Sequence, residues 1–368
     1  MKHSAYKVLC ACIAALILLL GMASCKGESK NPTDTNTSEQ GGEDTSHLYD
    51  KNGYLKDQIP ADVNFNRTIR ILGNSNQATQ FYAEEITEDR INNAIYSRNE
   101  TVCNRLGVNI EWDLQPGSWE KQSSFIRRVE LANQDQPYDA VIAYNLIPPA
   151  MAIRSMCANL YDTDYIRLEN PWWPAGYVEE LVMQDQIYSL AESCGVGVLK
   201  NMMCIFFNNS LIAAKGMENP YELVENNQWT LEQLMTMIEG SYENLNTAGE
   251  TEIDSKDLFG LCTSTAPRLD AWFYASGYKL SGIDESGKLV SLMGGSHVEE
   301  HISRIKRLFL NSEDVWLVDD KQNVMFSEKR AVFYATVVSI TNTLKNLDID
   351  FGVVPMPKLT ADQPKYGT

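Results

Sequence analysis

Residues 170–210 read NPWWPAGYVEELVMQDQIYSLAESCGVGVLKNMMCIFFNNS, and this stretch decides the fold prediction because it separates two runs of secondary-structure elements. Residues 177–182 have helical spacing, and apolar, strand-like runs follow at residues 187–191 and 202–207. The second run is too short and too aromatic for a preferred helix. Glu192 follows the first run, where a crossing strand would emerge into a cleft. We therefore predict one α/β lobe before this stretch and a second α/β lobe after it.

The length, composition and charge of the chain agree with two lobes and limit its partners. A chain of 368 residues is longer than one compact core usually holds. Its hydrophobic fraction of 44% and aromatic fraction of 10% are typical of globular proteins. The formal net charge is −18, and it becomes −20 when residues 1–25 are removed with their two lysines. Such a surface repels nucleic acid and anionic lipid, so we predict neither as a partner and expect a monomer.

The N-terminus has the pattern of an export signal. Lys2 and Lys7 form a basic region, and an apolar run too short to span a bilayer follows at residues 8–20. The next small residues end at Cys25, which is similar to a bacterial lipoprotein signal with Met22 where such signals prefer leucine. We expect a signal peptide, a lipid on Cys25, and a chain anchored at the extracellular face of the cell membrane. The alternative is an ordinary secretory signal with a chance cysteine.

A polar segment follows the predicted signal peptide. Residues 26–46 contain no aromatic and no aliphatic side chain, so they cannot bury enough apolar surface to fold. We predict a signal peptide over residues 1–25, a disordered tether over 26–48, a first lobe over 49–190 and a second lobe over 191–368.

Five cysteines remain after the predicted signal, and an odd number leaves at least one of them unpaired. No spacing among them is typical of a zinc site. A disulfide between two of them, Cys194 and Cys204, stays open, but the preferred interpretation is five buried thiols that pack as small hydrophobic residues. The five are Cys103, Cys157, Cys194, Cys204 and Cys262.

Strand and helix patterns alternate in the predicted first lobe, which favours βαβ units and an open, mostly parallel sheet flanked by helices. The predicted strands are residues 66–73, 108–112 and 139–144, and the predicted helices are residues 87–106 and 119–132.

Strand and helix patterns also occur together in the predicted second lobe. Asn208 and Asn209 can cap a helix that ends at Gly216, and Thr230 can cap another helix with Gln233 at the third position of a capping box. A helix over residues 296–310 and strands over residues 330–338 and 351–355 complete the predicted lobe.

Several segments together carry a resemblance to a known family through their order and spacing. They are IPADV at residues 59–63, the helix at 91–106, NPWW at 170–173, FFN at 206–208, NPY at 219–221 with WT at 229–230, and FGVVPMPK at 351–358. The chain from residue 49 onward resembles the extracellular solute-binding protein family 1. These are lipoprotein receptors of carbohydrate-importing ABC transporters, related to the maltodextrin-binding protein.

This resemblance implies a fold and a function. The fold would be the two-lobed, periplasmic-binding-protein-like fold of type II, with a ligand cleft between the lobes. The function would be to bind a sugar or oligosaccharide without altering it and to deliver it to the permease subunits of an ABC importer. Members of the family usually continue past the segment at residues 355–358 and return to complete the first lobe. We therefore expect a C-terminally truncated chain with an incomplete first lobe.

A sugar-binding cleft needs aromatic rings for the apolar sugar face and planar polar side chains for the hydroxyl groups. The resemblance implies a ligand-contacting carboxylate at Glu192. Packing in the core or on the surface is the alternative role for each aromatic candidate, and we interpret the pair Trp172 and Trp173 as structural. The predicted ligand-binding residues are Asn74, Gln77, Tyr82, Tyr144 and Asn145 on the first wall, Glu192 at the crossing, and Arg268, Trp272 and Tyr334 on the second wall.

Two motifs could bind metals. His297 and His301 match the H-x-x-E-H pattern of zinc peptidases, but no third ligand accompanies them, and a solvated helix start is the better interpretation. Residues 244–249 lie where relatives often carry a calcium-like loop, yet this chain has Asn and Ala in place of the carboxylates that Ca²⁺ prefers. We predict no metal, no cofactor and no catalytic residues. A surface hydrolase, zinc-dependent or carboxylate-dependent, and a non-transporting sugar sensor stay as alternatives.

Overall fold

The computed structural model describes residues 48–135, 137–191, 195–247, 251–265, 268–318 and 321–367. The predicted signal peptide, Cys25 and all but the last residue of the predicted tether lie outside these residues. The chain divides into two compact units, Met1–Gln58 and Ile59–Thr368. In the first unit, Asp50 closes a turn by accepting hydrogen bonds from the backbone N–H groups of Asn52 (2.8 Å) and Tyr54 (2.9 Å). All elements below belong to the second unit.

The first lobe is built on a three-stranded parallel sheet, as the alternation of patterns predicts. The strands lie in the order β2-β1-β3, and two helices connect them along the chain. The elements are β1 (Arg67–Asn74), α1 (Arg90–Leu106), β2 (Val108–Gln115), α2 (Gln122–Asp135) and β3 (Ala140–Ile142). Short 3₁₀ turns lie at Ser75–Gln80 and Trp119–Lys121.

The two ends of helix α1 follow from local chemistry. The carboxylate of Asp89 accepts hydrogen bonds from the N–H groups of Ile91 (2.7 Å) and Asn92 (3.0 Å), which are otherwise unpaired at a helix start. The helix ends at Gly107, whose φ of 60° is in the left-handed region that glycine adopts without strain. A Cβ at this position would also lie 2.0 Å from the Asn64 Oδ1 atom, so any other residue would force the Asn64 side chain to move.

The Asp113 carboxylate joins strand β2 to helix α2. It accepts hydrogen bonds from Gln115 (2.6 Å), from the Tyr138 hydroxyl and from Arg128 (2.8 Å from Nε). Burial alone would raise the pKa of Asp113, but these hydrogen bonds and the Arg128 charge outweigh burial, so the pKa lies below its ordinary value of 3.8.

This carboxylate makes the stability of the first lobe depend on pH. Because its pKa is depressed on folding, the stabilisation is present above pH 3.8 and is lost as the pH falls through the folded pKa. We expect Asp113→Asn to lower the free energy of unfolding by on the order of 1 kcal/mol at pH 7. The difference should shrink as the pH falls below about 4. Urea unfolding at several pH values measures it, with the exposed Asp348→Asn as the control. A difference that is constant with pH would contradict this role.

The connection between the lobes differs from the prediction at one point. Two short helices, α3 (Ile147–Ala152) and α4 (Ala175–Leu181), are present, but residues 187–191 form no strand. Ile187 is fully buried, yet its N–H group donates to the Asn159 Oδ1 atom (3.1 Å) and its carbonyl accepts from Leu160 (2.8 Å). The strand prediction is therefore wrong because a loop, and not a sheet, satisfies this backbone.

The second lobe is built on a five-stranded mixed sheet in the order β10-β4-β9-β5-β8. Strand β4 is antiparallel to both of its neighbours, whereas β5 is parallel to β8 and β9. The strands are β4 (Met203–Asn208), β5 (Phe259–Thr263), β8 (Val315–Leu317), β9 (Ala331–Val337) and β10 (Phe351–Pro355). Strands β6 (Ser281–Ile283) and β7 (Leu289–Ser291) form a separate antiparallel hairpin. The predicted strands at residues 202–207, 330–338 and 351–355 are confirmed.

The predicted helix caps of the second lobe are confirmed. The Asn208 side chain accepts a hydrogen bond from Leu211 (3.1 Å), and Thr230 Oγ1 accepts one from Gln233 (3.2 Å). The Gln233 side chain donates to Glu218, so its amide is used outside the predicted capping box. The helices are α5 (Gly197–Asn201), α6 (Asn209–Ala214), α7 (Pro220–Glu225), α8 (Leu231–Ile238), α9 (Asp270–Tyr274), α10 (Ser296–Leu310), α11 (Gln322–Ser327) and α12 (Thr341–Leu344).

Strand β4 lies between β10 and the central strand β9, and all six of its residues are buried. Ile205 and Phe207 pack into one hydrophobic cluster, while Cys204 and Phe206 pack into another. Because neighbouring side chains of a strand point to opposite faces, both faces of the sheet are covered. None of the helices in the described residues is long and apolar enough to cross a membrane.

The cysteines of the described residues are free thiols. Cys204 and Cys262 are buried, and Cys103 and Cys157 are partly buried. Burial raises the pKa of the Cys204 thiol to about 12, so this group stays protonated at neutral pH. Cys194, the other cysteine of the disulfide left open above, lies outside the described residues.

Candidate functional site

The carboxyl ends of the first sheet carry a polar surface, and such ends are where open α/β sheets bind ligands. Asn74 ends strand β1 and is buried. Its Oδ1 atom accepts hydrogen bonds from the N–H groups of Asn76 and Gly117, both at 3.1 Å. The loops after β1 and β2 are therefore tied together by one side-chain oxygen, which gives Asn74 a positioning role whether or not its amide contacts a ligand.

Trp119 lies two residues after this joint and was not among the predicted site residues. Its side chain is 58% exposed, although indole rings are usually covered by neighbouring side chains. The backbone at Gly117 packs closely against two side chains, because a Cβ there would lie 3.0 Å from atoms of both Asn74 and Phe125. Trp119 begins the 3₁₀ turn Trp119–Lys121, four residues after the carboxyl end of strand β2. The signal was present in the sequence, since QPGSW at residues 115–119 follows directly on a strand.

The other predicted residues of the first wall differ in exposure. Tyr144 is 40% exposed and follows strand β3 together with the exposed Asn145. Gln77 is exposed and accepts a hydrogen bond from Gln80. Tyr82 is half-buried against Trp112, with ring centroids 5.4 Å apart. Tyr144, Asn145 and Gln77 are therefore open to solvent, while Tyr82 is partly covered.

Two predicted residues come together in the second lobe. Arg268 follows strand β5, and its Nη1 atom donates to the Ser264 hydroxyl (2.9 Å). Tyr334 is only 6% exposed, and its hydroxyl donates to Asn323 Oδ1 (2.6 Å). Burial raises the pKa of Tyr334. Tyr334 pairs with Cys262 between strands β9 and β5, and Ser264 follows Cys262 by two residues, so the sheet brings Tyr334 towards the residue that Arg268 contacts. We call Ser264, Arg268, Asn323 and Tyr334 the arginine cluster.

Trp272 lies in the hydrophobic core of the second lobe, unlike the cleft position predicted for it. The side chain is 3% exposed, and its ring packs edge-on against Phe309 with centroids 5.1 Å apart. Its indole N–H group has no hydrogen-bond partner. In this conformation the ring cannot stack on a ligand, because protein atoms cover both faces. Glu192, the carboxylate predicted at the crossing, lies outside the described residues.

The predicted solvated start of helix α10 is wrong at one of its two histidines. His297 is exposed, but His301 is 1% exposed and its ring lies between Phe273 (5.6 Å between centroids) and Tyr278 (5.4 Å). Burial lowers the pKa of His301, which favours the neutral ring. The helix start thus contributes a core residue because the turn at 273–278 packs over it. Within the described residues no three His, Cys, Asp or Glu side chains are grouped as metal ligands.

The loop at the calcium-like position is closed by a carboxylate that already has partners. Asp257 is fully buried and accepts hydrogen bonds from the N–H groups of Leu245 (2.9 Å) and Asp254 (3.2 Å), and from the Tyr242 hydroxyl (3.1 Å). Its oxygen atoms therefore hold the turn together. Residues 248–250 of this loop lie outside the described residues.

Comparison by sequence gives no match: no family model matches the chain, and no curated protein matches it.

Comparison by structure gives proteins with the same fold at low sequence identity. The structure is similar to a cyclo/maltodextrin-binding protein complexed with maltotetraose, with a TM-score of 0.53, 13% identity, and coverage of 81% of this chain and 67% of that chain. UspC of M. tuberculosis has a TM-score of 0.51 and 12% identity, over 80% and 70% of the two chains. The maltose-binding periplasmic protein of Listeria monocytogenes, in complex with maltose, has a TM-score of 0.50 and 11% identity, over 79% and 66%. The chain therefore has the two-lobed α/β fold of the substrate-binding proteins.

Proposed function

We propose that this protein is a receptor that binds a sugar or oligosaccharide between its lobes without altering it. The observation that carries the proposal is the exposed side chain of Trp119, which follows the carboxyl end of strand β2 by four residues, in the loop that Asn74 ties to strand β1 through Gly117. Two proteins of the same fold are described as complexes with maltotetraose and with maltose, which supports a saccharide as the ligand class. That support is indirect, because those proteins share only the fold with this chain.

The chemistry of the edge suits a pyranose ring. One face of a pyranose is apolar and would stack on the indole of Trp119 or the phenol of Tyr144. The hydroxyl groups on the sugar rim need planar donors and acceptors, which the exposed amides of Asn145 and Gln77 provide. Exposed aromatic rings and exposed amides at one end of a sheet suit recognition of a ligand better than they suit packing.

The second wall of the site would come from the arginine cluster. Arg268 and Asn323 carry donors at the other sheet, and Tyr334 and Ser264 hold them in position. A ligand that contacts both lobes binds the closed arrangement better than the open one and therefore shifts the hinge equilibrium towards closure. Within this proposal, Trp272 supports the second wall from the core and does not contact the sugar.

The receptor would deliver its sugar to a transporter in the same membrane. A lipid on Cys25 would hold the receptor at the extracellular face of the cell membrane, and permease subunits of an ABC importer would accept the closed form. The sequence pattern of residues 1–25 supports this location. Sugar delivery to a membrane-bound sensor instead of a permease would use the same site.

Calorimetry with a panel of oligosaccharides tests the receptor function. We expect at least one saccharide to bind the purified protein at a ratio of 1:1, with a Kd on the order of micromolar. Chromatography of the same mixture after long incubation should recover the saccharide unchanged, and metal analysis should find no stoichiometric zinc. Turnover of the saccharide, or of a peptide with bound zinc, would make the protein a hydrolase and contradict the proposal.

A further inference from the structure

Arg268 differs from the other arginines of the second lobe because none of the described acidic side chains pairs with it. Among its neighbours in the chain, Arg304 pairs with Glu300 (2.7 Å) and Arg307 pairs with Glu232 (2.5 Å). No aspartate or glutamate of the described residues forms an ion pair with Arg268, although the chain as a whole carries 49 acidic residues. In such an acidic protein, a cation without a counter-charge is a position that selects for a charged ligand.

The guanidinium group of Arg268 is held in place with part of its hydrogen-bonding capacity unused. Its Nη1 atom donates to Ser264 Oγ at 2.9 Å, and its Nε–H group is buried without a partner. An unsatisfied donor on a charged group costs more than a neutral one, because the charge has lost water without gaining a partner. Because protein atoms cover Nε, a ligand oxyanion would bind the guanidinium through its Nη atoms, where it would compensate the same positive charge.

The groups around Arg268 are also suited to an anion on a polyhydroxyl ligand. The Tyr334 hydroxyl donates to Asn323 Oδ1, which fixes the exposed Asn323 amide with its N–H groups available as further donors. The planar guanidinium presents parallel N–H groups that match a carboxylate or a sulfate better than they match a single hydroxyl group. The arginine cluster therefore combines one cation with neutral donors and contains no carboxylate.

We propose that the saccharide bound by this protein carries an acidic group, a carboxylate as in a uronic acid or a sulfate ester, and that Arg268 binds this oxyanion. The inference rests on the proposed receptor function and names the substrate class of the same site. The overall charge of −18 does not prevent it, since exposed charges more than about 8 Å away are largely screened at physiological salt. The acidic surface instead disfavours anions that lack the contact with Arg268.

Matched acidic and neutral saccharides test the inference by calorimetry. The probes are trigalacturonate, its fully methyl-esterified form, a sulfated disaccharide of the carrageenan type, which has no carboxylate, and maltotriose. We expect an acidic probe to bind the unaltered protein at least tenfold more tightly than the ester and maltotriose, and the two acidic probes distinguish a carboxylate from a sulfate. Equal binding of the ester and the acid, or preference for maltotriose, would overturn the inference and leave the receptor function in place. Absence of binding by every saccharide tried would overturn both.

Variants at Arg268 assign the preference to this side chain. Arg268→Gln should lower the affinity for the acidic probe by roughly ten- to a hundred-fold, the range for a hydrogen-bonded charge. Arg268→Lys keeps the charge without the planar fork and should retain part of the affinity. The control is Arg304→Gln, an arginine on helix α10 that is already paired, which should bind as the unaltered protein does. A variant with Arg268→Gln that folds, as judged by its thermal midpoint, and keeps the preference would assign the anion site elsewhere and overturn the proposal.

Discussion

Replacement of Trp229 by alanine is expected to lower the free energy of unfolding by about 3–5 kcal/mol. The ring is fully buried in the main cluster of the second lobe and lies 5.9 Å from the Phe333 ring. Its Nε1 atom donates to the carbonyl of Pro355 at 2.8 Å, so the side chain also fastens the end of strand β10. The alanine variant would leave a cavity and an unpaired carbonyl together, and each is destabilising.

Urea unfolding followed by circular dichroism measures this effect. Trp229→Phe keeps most of the ring but loses the hydrogen bond, so we expect an intermediate loss of about 1–2 kcal/mol. Trp119→Ala removes a ring of the same type from an exposed position and should change the free energy of unfolding by less than about 0.5 kcal/mol. If Trp229→Ala unfolded within 1 kcal/mol of the unaltered protein, the second lobe would not depend on this contact.

Trp119→Ala is expected to produce the largest loss of saccharide affinity among single changes in the first lobe. We expect a decrease of about 30-fold, which corresponds to roughly 2 kcal/mol of binding free energy. The reason is that the indole offers a large apolar face to the ring of a sugar, and no other tryptophan near the polar edge is comparably exposed in the described residues.

Calorimetry of the variant with the saccharide found in the panel measures this loss. Trp119→Phe should recover part of the affinity, because a smaller ring can still stack on the sugar. Trp112→Phe is the control, because Trp112 packs against Phe81 (5.6 Å between ring centroids) and Tyr82. This change should lower the stability of the protein and leave the saccharide affinity nearly unchanged. Unchanged affinity in Trp119→Ala, with normal stability, would move the aromatic contact to another residue such as Tyr144.

The elements that could be predicted from the sequence are those fixed by local interactions. The helix at residues 296–310 is confirmed at both ends because Gly295 precedes it and its apolar spacing continues over four turns. The caps at Asn208 and Thr230 are confirmed because a side chain bonds to a backbone N–H group only three residues away. Strand β4 is confirmed because its aromatic and β-branched composition leaves few other conformations.

The predictions that fail depend on residues distant in the chain. The run at residues 187–191 has the composition of a strand, but its backbone is satisfied by Asn159, 28 positions earlier. Trp272 and Trp119 are the same residue type, yet Trp272 packs on Phe309 and Trp119 is open to solvent. The exposure of a tryptophan side chain depends on which distant residues pack over it. The periodicity of a short segment therefore does not predict it. For the same reason the predicted ligand residues need a bound sugar to be tested.

The position of strand β4 also sets the order in which the second lobe can form. Its partners β9 and β10 come more than a hundred residues later, with Phe206 paired to Tyr334 on one side and to Val353 on the other. A nascent chain therefore makes strand β4 early, and neither of its edges can be paired until residues 331–355 have been synthesised. Such delayed, non-local pairing slows folding and leaves an unpaired strand edge that can aggregate with other chains. If the export signal predicted over residues 1–25 acts, this delay would let the chain cross a membrane before the second lobe folds.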